Sequence, residues 1–345
     1  MKTNIGGLVN VWTKSHSGHR AEYLEFAIDN LHGTAVPMWR LLAGKNPALF
    51  LMIEDSFFLY VLVCLLRSMV GRRTVGLLFR LKPAVEGKGL RLLIKRNVLR
   101  CLVELHSVHT LSIVPTSLIP GSDAYVDSWV YDFQLWDVSR EEMNLFNCFA
   151  SCQFEGEEEA RSLVKEIQSN AETRRIISAI GVQNEAKGFD LFSDIYENSL
   201  DIQREWCFVS GGKVHSNLKE KSELFDQAGG FLVDRFVSKV ELIALYAVSD
   251  VVWCRYAEKY DQASGILGRA IQFGIPVVVR YGSLSHRFCE MLDVDYVADD
   301  ATGDIHILLG SAGQKDLDKG RALTDRFRSV SLVRLSTALQ IEFET

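Results

Sequence analysis

The chain has 345 residues, of which 48% are hydrophobic and 24% charged, and it carries a net charge of −6 with only 6 prolines. These proportions exclude disordered, collagen-like and disulfide-scaffold proteins. At roughly 100–200 residues per domain, the length predicts two domains with separate cores.

The first half of the chain alternates between strand-like and helix-like segments. Short β-branched or apolar runs predict strands near 7–12, 47–53, 74–79 and 108–114. Apolar residues at helical spacing predict helices near 19–31, 56–70 and 88–105. This alternation is typical of α/β proteins, in which helices cover both faces of a parallel sheet.

The second half repeats the pattern. Strands are predicted near 174–180, 206–210, 229–233, 250–254 and 275–280, with helices between them. The charged segment 154–175 lies between the two series and is the expected domain junction, which places one doubly wound domain at 1–155 and another at 156–317. Ligands of such sheets bind at the carboxyl ends of the strands, so we expect the active site in a cleft between two facing domains.

Two further features bear on location. The N-terminal MKTNIGGLVNVW has no extended apolar core, and the seven cysteines, an odd number, lie mostly in apolar segments. We therefore expect no signal peptide, free thiols and a cytoplasmic protein. The apolar run 57–66 has about half of the roughly 20 residues that cross a bilayer. It predicts a buried helix rather than a membrane anchor.

Charge is unevenly distributed along the chain. Residues 1–150 carry a net +3 and residues 151–345 a net −9, while the segment 67–100 holds ten basic residues and one acid, Glu86. Within 90–105, apolar residues recur at helical spacing at Leu90, Leu93, Ile94, Val98 and Leu102, and basic residues at Arg91, Lys95, Arg96 and Arg100 share another side.

This basic amphipathic helix predicts reversible docking through 67–100 on the anionic inner face of a membrane. An ordinary solvated helix face is the alternative. The acidic remainder of the chain argues against binding to nucleic acid.

The first candidate site follows the strand near 250–254. A loop from Tyr256 to Ser264 opens into a helix, whose free N–H groups and dipole favour an anion. Asp261 can accept hydrogen bonds from hydroxyls, and Ser264 and Gly265 allow a ligand close to the backbone. The helix then ends at Gly274, which suits a left-handed cap. Every doubly wound fold contains such connections, so a purely structural loop is the alternative.

Two other loops follow strands in the same way. After the strand near 174–180 come Gly181 and a polar loop in which Lys187-Gly188 opens a helix and can meet a phosphate. After the first strand comes the loop 13–20, for which Ser17 as a helix cap is an equally good interpretation. The D-x-D string at 293–295 arrives after nine predicted strands and is expected to be surface acids, not a metal site.

The residues of 174–283 resemble those of family-4 type, retaining, GT-B-fold glycosyltransferases. The resemblance rests on the order and spacing of I-G-V-x4-K-G, W-C-F-V-S-G-G (206–212), F-V-S-K-V-E-L-I-A-L-Y-A-V-S-D (236–250) and G-I-P-V-V-V (274–279). The first half matches more loosely, through the S-G-H loop at 17–19, and 318–340 is similar to the family's C-terminal helix, which returns toward the N-terminal domain.

The resemblance implies an acceptor domain at 1–155, a donor domain at 156–317 and a returning helix at 318–345. It implies a UDP- or GDP-linked sugar donor, a glycan or lipid-linked acceptor, and no metal or other cofactor. It gives catalytic roles to Asp261 and Lys187 and places the acceptor or phosphates near Ser15, His16, Ser17, Gly18 and His19. The donor-binding residues it implies are Gly181, Lys187, Gly212, Lys213, Arg255, Tyr260, Asp261, Ser264, Gly265 and Arg269.

The sequence departs from the family at two positions. Arg269 stands where the family usually has a glutamate that holds the ribose, and Val182 replaces an arginine, which leaves Lys187 to meet the diphosphate. We expect Arg269, Arg255 or Lys213 to compensate.

The favoured function is a retaining, metal-independent glycosyltransferase of polysaccharide or glycoconjugate biosynthesis. The alternative is a non-catalytic GT-B subunit that supports a partner transferase, and the evidence for it is the two departures at Val182 and Arg269. An epimerase or a phosphorylase of the same fold is a weaker alternative, and no lysine context suggests a pyridoxal site.

Overall fold

The computed structural model describes residues 8–17, 19–151, 158–300 and 303–342. The chain divides into two compact units. Unit 1 comprises residues 1–133 and 326–345, and unit 2 comprises 134–325. Each unit contains a six-stranded parallel sheet with helices, so the predicted α/β class with two doubly wound sheets is confirmed.

The sheet of unit 1 has the strand order β2-β1-β3-β4-β5-β6, and every pairing is parallel. Its strands are β1 (Val9–Trp12), β2 (Gly33–Ala35), β3 (Ala48–Phe50), β4 (Thr74–Leu78), β5 (Val108–Ser112) and β6 (Ser128–Trp129). The order reverses beside β1, which lies between β2 and β3, and ligands of doubly wound sheets bind at such switch points. We did not predict β2 and β6, because three and two residues are too few to show a period.

Five helices belong to the first part of unit 1. They are α1 (His19–Asn30), α2 (Met38–Ala43), α3 (Phe57–Ser68), α4 (Leu81–Glu86) and α5 (Leu90–Val103). The core between sheet and helices is apolar and includes the buried Val9, Phe50 and Leu77. Tyr60 of α3 is also buried and places its hydroxyl 3.0 Å from that of Thr110 in β5.

The structure corrects the expected burial of the run 57–66 and part of the apolar stripe expected in 90–105. The run 57–66 does form a helix, but α3 exposes Phe58, Leu62, Leu65 and Leu66 to solvent. In α5 the expected apolar stripe is also wrong in part, since Leu90, Leu93 and Ile94 are exposed, and Leu99 and Leu102 are the residues buried on the sheet. Because apolar residues surround both helices, their period could not select the side that faces the core.

The basic side chains of the segment 67–100 do not all lie on one solvent-exposed face. The Arg67 side chain is completely buried and donates five hydrogen bonds. Arg73 and Arg96 also donate to backbone carbonyl oxygens. These arginines tie loops together, and only part of the charge faces solvent.

The sheet of unit 2 has the strand order β12-β11-β10-β7-β8-β9, again with parallel pairing. The strands are β7 (Arg175–Ile180), β8 (Trp206–Gly211), β9 (Phe231–Val233), β10 (Val251–Cys254), β11 (Val277–Arg280) and β12 (Tyr296–Asp299). The first five match the predicted strands, and we did not predict β12. The order reverses between β7 and β10, which makes this the switch point of unit 2.

The helices of the remaining chain surround the second sheet, and the last of them contributes residues to both units. They are α6 (Arg140–Ala150), α7 (Glu158–Ala171), α8 (Phe189–Glu197), α9 (Leu200–Glu205), α10 (Lys219–Gln227), α11 (Lys239–Val248), α12 (Gly265–Gln272), α13 (Leu284–Leu292), α14 (Ile305–Gly310) and α15 (Leu317–Leu339). As expected, α12 is followed by Gly274 in the left-handed region, with φ of +62°.

The boundaries between the units differ from the predicted ones at 155 and 317. Helix α6 packs within unit 2, since the Phe146 ring stacks on the Phe273 ring at 4.3 Å. The second half of α15 packs within unit 1, where the Ser331 hydroxyl accepts from the Tyr131 N–H at 3.0 Å. Unit 2 therefore begins after Phe133, and residues 152–157 of the predicted junction lie outside the described residues.

Two observations concern the cysteines and the helices. Six cysteines are free in the described part of the chain, and four of them are buried; Cys152 lies outside it. Among the described helices, none combines the length and apolar character that crossing a bilayer requires.

Candidate functional site

Two loops of unit 2 leave the sheet at its switch point. One follows β7 and contains residues 181–188, and the other follows β10 and contains residues 255–264. These are the two loops that the sequence singled out. The carboxyl ends of parallel strands at a switch point form a natural crevice for a ligand.

The two loops are joined through their backbones. Gly188 adopts φ of +75°, and a Cβ atom on it would lie 2.3 Å from the carbonyl oxygen of Arg255. The N–H of Ala257 donates to the carbonyl oxygen of Ala186 at 3.1 Å. Only glycine permits both the conformation and this approach, so Gly188 sets the separation of the loops.

Lys187 lies where these two loops of unit 2 meet. It ends a 3-10 turn at 185–187, and its N–H donates to the Asn184 side chain at 2.9 Å. We expected Lys187 in the first turn of a helix, whereas α8 begins after Gly188. Its ammonium lies 4.5 Å from the Tyr256 ring centre and 4.9 Å from the Tyr260 ring centre, a cation–π arrangement.

Lys187 differs from the other cations that the sequence proposed for a donor. Within the described part of the chain, no carboxylate lies within 4.0 Å of the Lys187 ammonium. The other three are paired: Arg255 with Asp299 at 2.7 Å, Lys213 with Asp234 at 3.3 Å and Arg269 with Asp137 at 3.0 Å. Lys187 is therefore the cation of this set whose charge is available to an anionic ligand.

The N-terminus of α12 faces the same region. Ser264 occupies the N-cap position, but its hydroxyl lies 2.7 Å from the Tyr256 hydroxyl and does not cap the helix. Burial raises the pKa of Tyr256 well above its usual value, so this phenol stays protonated at neutral pH. A Cβ atom on Gly265 would lie 2.4 Å from the Gln134 side-chain oxygen, so this glycine accommodates Gln134.

Two glycines complete the edge of the sheet. Gly181 follows β7 with φ of +90°, and Gly212 follows β8 with φ of +141°. A Cβ atom on Gly212 would lie 2.1 Å from the Gly181 carbonyl oxygen, and one on Gly181 would lie 3.5 Å from the Ile266 side chain of α12. The structure thus brings the glycine loop after β7 beside the first turn of α12.

Asp261 is engaged by the neighbouring helix. One carboxylate oxygen accepts the N–H of Leu284 at 2.7 Å, and the other lies 3.8 Å from the Arg280 guanidinium. Asp261 thus stabilises the start of α13 together with Ser283, whose hydroxyl accepts the His286 N–H.

The loop after β1 in unit 1 follows a switch point as well. The hydroxyls of Ser15 and Ser17 lie 2.9 Å apart, and His16 is exposed. Gly18 lies outside the described residues, as does the side chain of His19. Ser17 as a cap of α1 stays a prediction, because Gly18 between Ser17 and the helix lies outside the described residues.

The sequence analysis missed a carboxylate pair beside this loop. Arg20 pairs with Asp55 at 2.5 Å, which holds the pKa of Asp55 below its usual value. Next to it, Glu54 accepts the Arg80 N–H at 2.5 Å, and burial raises its pKa. Its second oxygen is buried, with no hydrogen-bond partner among the residues that the structure describes. The sequence around Glu54 and Asp55 gives no sign that one of these adjacent acids is buried and the other pairs with Arg20.

Tyr256 and Asp299 were also missed in unit 2. Tyr256 was only the start of a predicted loop, yet it contacts both Lys187 and Ser264. Asp299 ends β12, a strand that was not predicted, and it holds Arg255 from there. The buried indole nitrogen of Trp253 has no hydrogen-bond partner in the described chain.

No protein-family model matches this chain, and no curated protein matches it. Solved structures do match. The α,α-trehalose 6-phosphate synthase from Burkholderia multivorans is 12% identical, with a TM-score of 0.58 over 94% of this chain and 77% of that one. The catalytic domain of starch synthase IV from Arabidopsis thaliana, bound to ADP and acarbose, is 12% identical, with a TM-score of 0.52 over 95% and 78%.

HepE from Anabaena, in complex with UDP, is 13% identical, with a TM-score of 0.56 over 96% of both chains. At such identities the likeness establishes the fold. The chain has two Rossmann-like units of the GT-B type and shares this fold with the trehalose-phosphate synthase, the starch synthase domain and HepE.

Proposed function

We propose that this protein is a retaining glycosyltransferase that moves a sugar from a nucleoside-diphosphate donor to a glycan or a lipid-linked acceptor, without a metal ion. The observation that carries the proposal is the Lys187 ammonium at the switch point of unit 2, which has no carboxylate partner among the described residues. Gly181 and the first turn of α12 lie within the same edge of the sheet. Backbone N–H groups and one cation are a suitable set for a diphosphate.

The chemistry follows from these positions. As the bond between the sugar's anomeric carbon and the phosphate oxygen breaks, negative charge develops on the leaving diphosphate. Lys187 and the α12 N–H groups stabilise that charge, and one charge-assisted hydrogen bond contributes about 1.5–3 kcal/mol. The acceptor oxygen bonds to the anomeric carbon on the face that the diphosphate leaves, and its proton passes to the departing phosphate.

The remaining donor residues take supporting roles in the proposal. Tyr260 lies beside Lys187, the Arg255 carbonyl lies beside Gly188, and Gly212 and Lys213 follow the neighbouring strand β8. Asp261 is the proposed contact for hydroxyls of the sugar. Ser264 and Gly265 lie at the start of α12, whose first-turn N–H groups are the proposed contact for the diphosphate. Arg269, like Arg255 and Lys213, is already paired with a carboxylate, so its charge is less available to a donor than that of Lys187.

The donor and acceptor classes have separate support. A uridine donor is favoured by the UDP complex of HepE and by its complex with UDP and glucose, while the sequence resemblance leaves GDP open. The loop 15–19 of unit 1 is the proposed acceptor or phosphate contact, since it follows a switch point. Free cysteines support a reducing compartment, which fits synthesis of a polysaccharide or glycoconjugate at the cytoplasmic side of a membrane.

The test measures binding and turnover in the same preparations. Thermal shift with UDP- and GDP-sugars reports binding, because a ligand at 100 times its dissociation constant stabilises by about 2.7 kcal/mol. Release of nucleoside diphosphate reports turnover. Lys187→Ala should lose both signals. Lys259→Ala, which removes an exposed lysine of the same loops paired with Glu185, should keep them. Equal signals in wild type and Lys187→Ala would contradict the proposal.

A non-catalytic subunit is the second candidate. Val182, at the position of the family's arginine, is exposed, and Arg269 is used in an ion pair, so two of the family's donor contacts have no direct replacement. Donor binding that depends on Lys187, without release of nucleoside diphosphate for any donor and acceptor tested, would favour this candidate. Product analysis distinguishes an epimerase or a phosphorylase.

A further inference from the structure

Helix α3 presents an apolar face to solvent. Its exposed large side chains are Phe58, Leu62, Leu65 and Leu66, and Met69 and Val70 follow directly after its end. Phe58 is 72% exposed and Met69 83%. Positions 58, 62, 65, 66 and 69 fall on one side of a helix, because they are separated by three or four residues or by multiples of a turn. We call this set the α3 apolar face.

Helix α5 extends this surface. Leu90, Leu93 and Ile94 are exposed in its first turns. One of the contacts between the helices is that of the Lys95 ammonium of α5, which lies 5.3 Å from the centre of the Phe57 ring of α3. Because the two helices pack against each other in unit 1, we assign their exposed apolar residues to one surface.

Cations border this surface. Lys88 and Arg91 are exposed, and Lys95 lies at its edge. Among the described residues, no carboxylate pairs with these three side chains. Glu86 is the one acid in the segment 67–100. A contiguous exposed apolar surface is rare in a soluble protein and marks an interaction site.

We propose that this surface docks on a lipid bilayer that contains anionic lipids. The α3 apolar face and the exposed residues of α5 enter the boundary between headgroups and acyl chains, and Lys88, Arg91 and Lys95 contact lipid phosphates. Helix α3 has 12 residues and a length of about 18 Å, which suits a helix lying in the plane of the interface. Cations bordering the apolar face favour an anionic bilayer over a neutral protein partner.

The α3 apolar face goes beyond the basic helix that the sequence predicted, because the run 57–66 had been expected to be buried. The inference does not depend on nucleotide-sugar binding, since its residues lie in unit 1 and the donor residues in unit 2. Vesicle binding and donor binding can therefore fail separately.

Co-sedimentation with vesicles tests the proposal. The full chain should bind vesicles of equimolar phosphatidylglycerol and phosphatidylcholine, bind phosphatidylcholine vesicles weakly, and lose part of its binding as salt is added. Two variants should each lower binding by more than about tenfold: Phe58→Ser with Leu62→Ser, and Lys88→Glu with Arg91→Glu. Circular dichroism and thermal unfolding establish that the variants fold.

Matched controls come from unit 2. Ile307 is 70% exposed, and Arg140 is an exposed cation at the start of α6. Ile307→Ser and Arg140→Glu should leave vesicle binding unchanged. Equal binding to neutral and anionic vesicles, absence of binding, or equal loss in the controls would overturn the proposal. A concentration-dependent dimer that the serine variant dissociates, without vesicle binding, would overturn it in favour of a second copy as the occupant.

Discussion

The α-carbon of Gly188 lies so close to the carbonyl group of Arg255 that a Cβ atom would sit 2.3 Å from its oxygen. This contact joins the loop after β7 to the loop after β10 at the point where the strand order reverses. It places Lys187 against the rings of Tyr256 and Tyr260. The proposed donor site thus depends on a position without a side chain.

Gly188→Ala should therefore destabilise unit 2. Alanine pays roughly 1–2 kcal/mol for a left-handed conformation, and here the backbone of Arg255 must also move. We expect the free energy of unfolding to fall by more than about 2 kcal/mol, measured by urea denaturation. Gly282→Ala is the control, because Gly282 has φ of +70° but open space around its Cβ position. Equal losses of stability in the two variants would show that the close approach of Gly188 to Arg255 adds nothing to the cost of the left-handed conformation.

Arg67 holds together the loops around β3 and β4. Its guanidinium donates to the carbonyl oxygens of Leu41, Gly44, Asn46 and Arg73 and to the Thr74 hydroxyl, at 2.5–3.0 Å. Burial lowers its pKa to about 10, so it remains charged at neutral pH.

Arg67→Lys should cost at least about 3 kcal/mol of stability, because a lysine ammonium has three donors and cannot reach five acceptors. Arg72→Lys is the control. Arg72 donates to two carbonyl oxygens and is partly exposed, so its loss should be about 1 kcal/mol. Urea denaturation measures both variants, and a small loss at Arg67 would contradict the expectation.

Glu54 and Asp55 should respond to pH in opposite directions. Burial raises the pKa of Glu54, so the folded protein holds that proton more tightly than the unfolded chain does. Stability from Glu54 is then lost as pH rises from the unfolded pKa, about 4.3, through the folded one. Glu54→Gln should be more stable than wild type at neutral pH, and the difference should disappear below about pH 4.

The pH dependence of stability has the opposite sign for Asp55. The Arg20 guanidinium lowers the pKa of Asp55, so its contribution is present above the unfolded pKa and is lost as pH falls through the folded one. Asp55→Asn should be less stable than wild type at neutral pH and should approach it in acid. Thermal unfolding of both variants across pH tests the pair, and parallel pH profiles would contradict it.

We expect Arg269 to contribute more to the stability of the fold than to binding of the sugar donor. Its guanidinium lies 3.0 Å from Asp137, and both side chains are only about one-fifth exposed. Arg269→Ala leaves the Asp137 carboxylate without this partner and should cost about 1–3 kcal/mol. The thermal shift produced by a UDP-sugar should be unchanged.

The control for Arg269 is an exposed ion pair. Arg204 and Asp201 lie 3.3 Å apart with most of both side chains in solvent, so Arg204→Ala should change stability by less than about 0.5 kcal/mol. Loss of the donor-dependent shift in Arg269→Ala, without loss of stability, would instead place Arg269 in the donor site.

The sequence by itself determined the α/β class, most strand positions and the two loops of unit 2 that carry the proposed site. Apolar runs such as 176–180 identify buried parallel strands, and the turn residues place Gly181 directly after this strand and Gly188 at the end of the loop that follows. These are local properties, because the strand period and the turn chemistry are encoded within a few residues. The short strands β2 and β6 were too brief to show such a period.

Only the tertiary structure decided which charges are free and which apolar faces are covered. Arg269 pairs with Asp137, a residue 132 positions away in the chain, whereas Lys187 has no carboxylate partner in the described part of the chain. Arg67 is buried while nearby Arg91 is exposed, although both belong to the same basic segment. Helix α3 is apolar on every side, and the side that faces water depends on where the sheet lies. Pairing and burial are long-range properties, so local periodicity does not contain them.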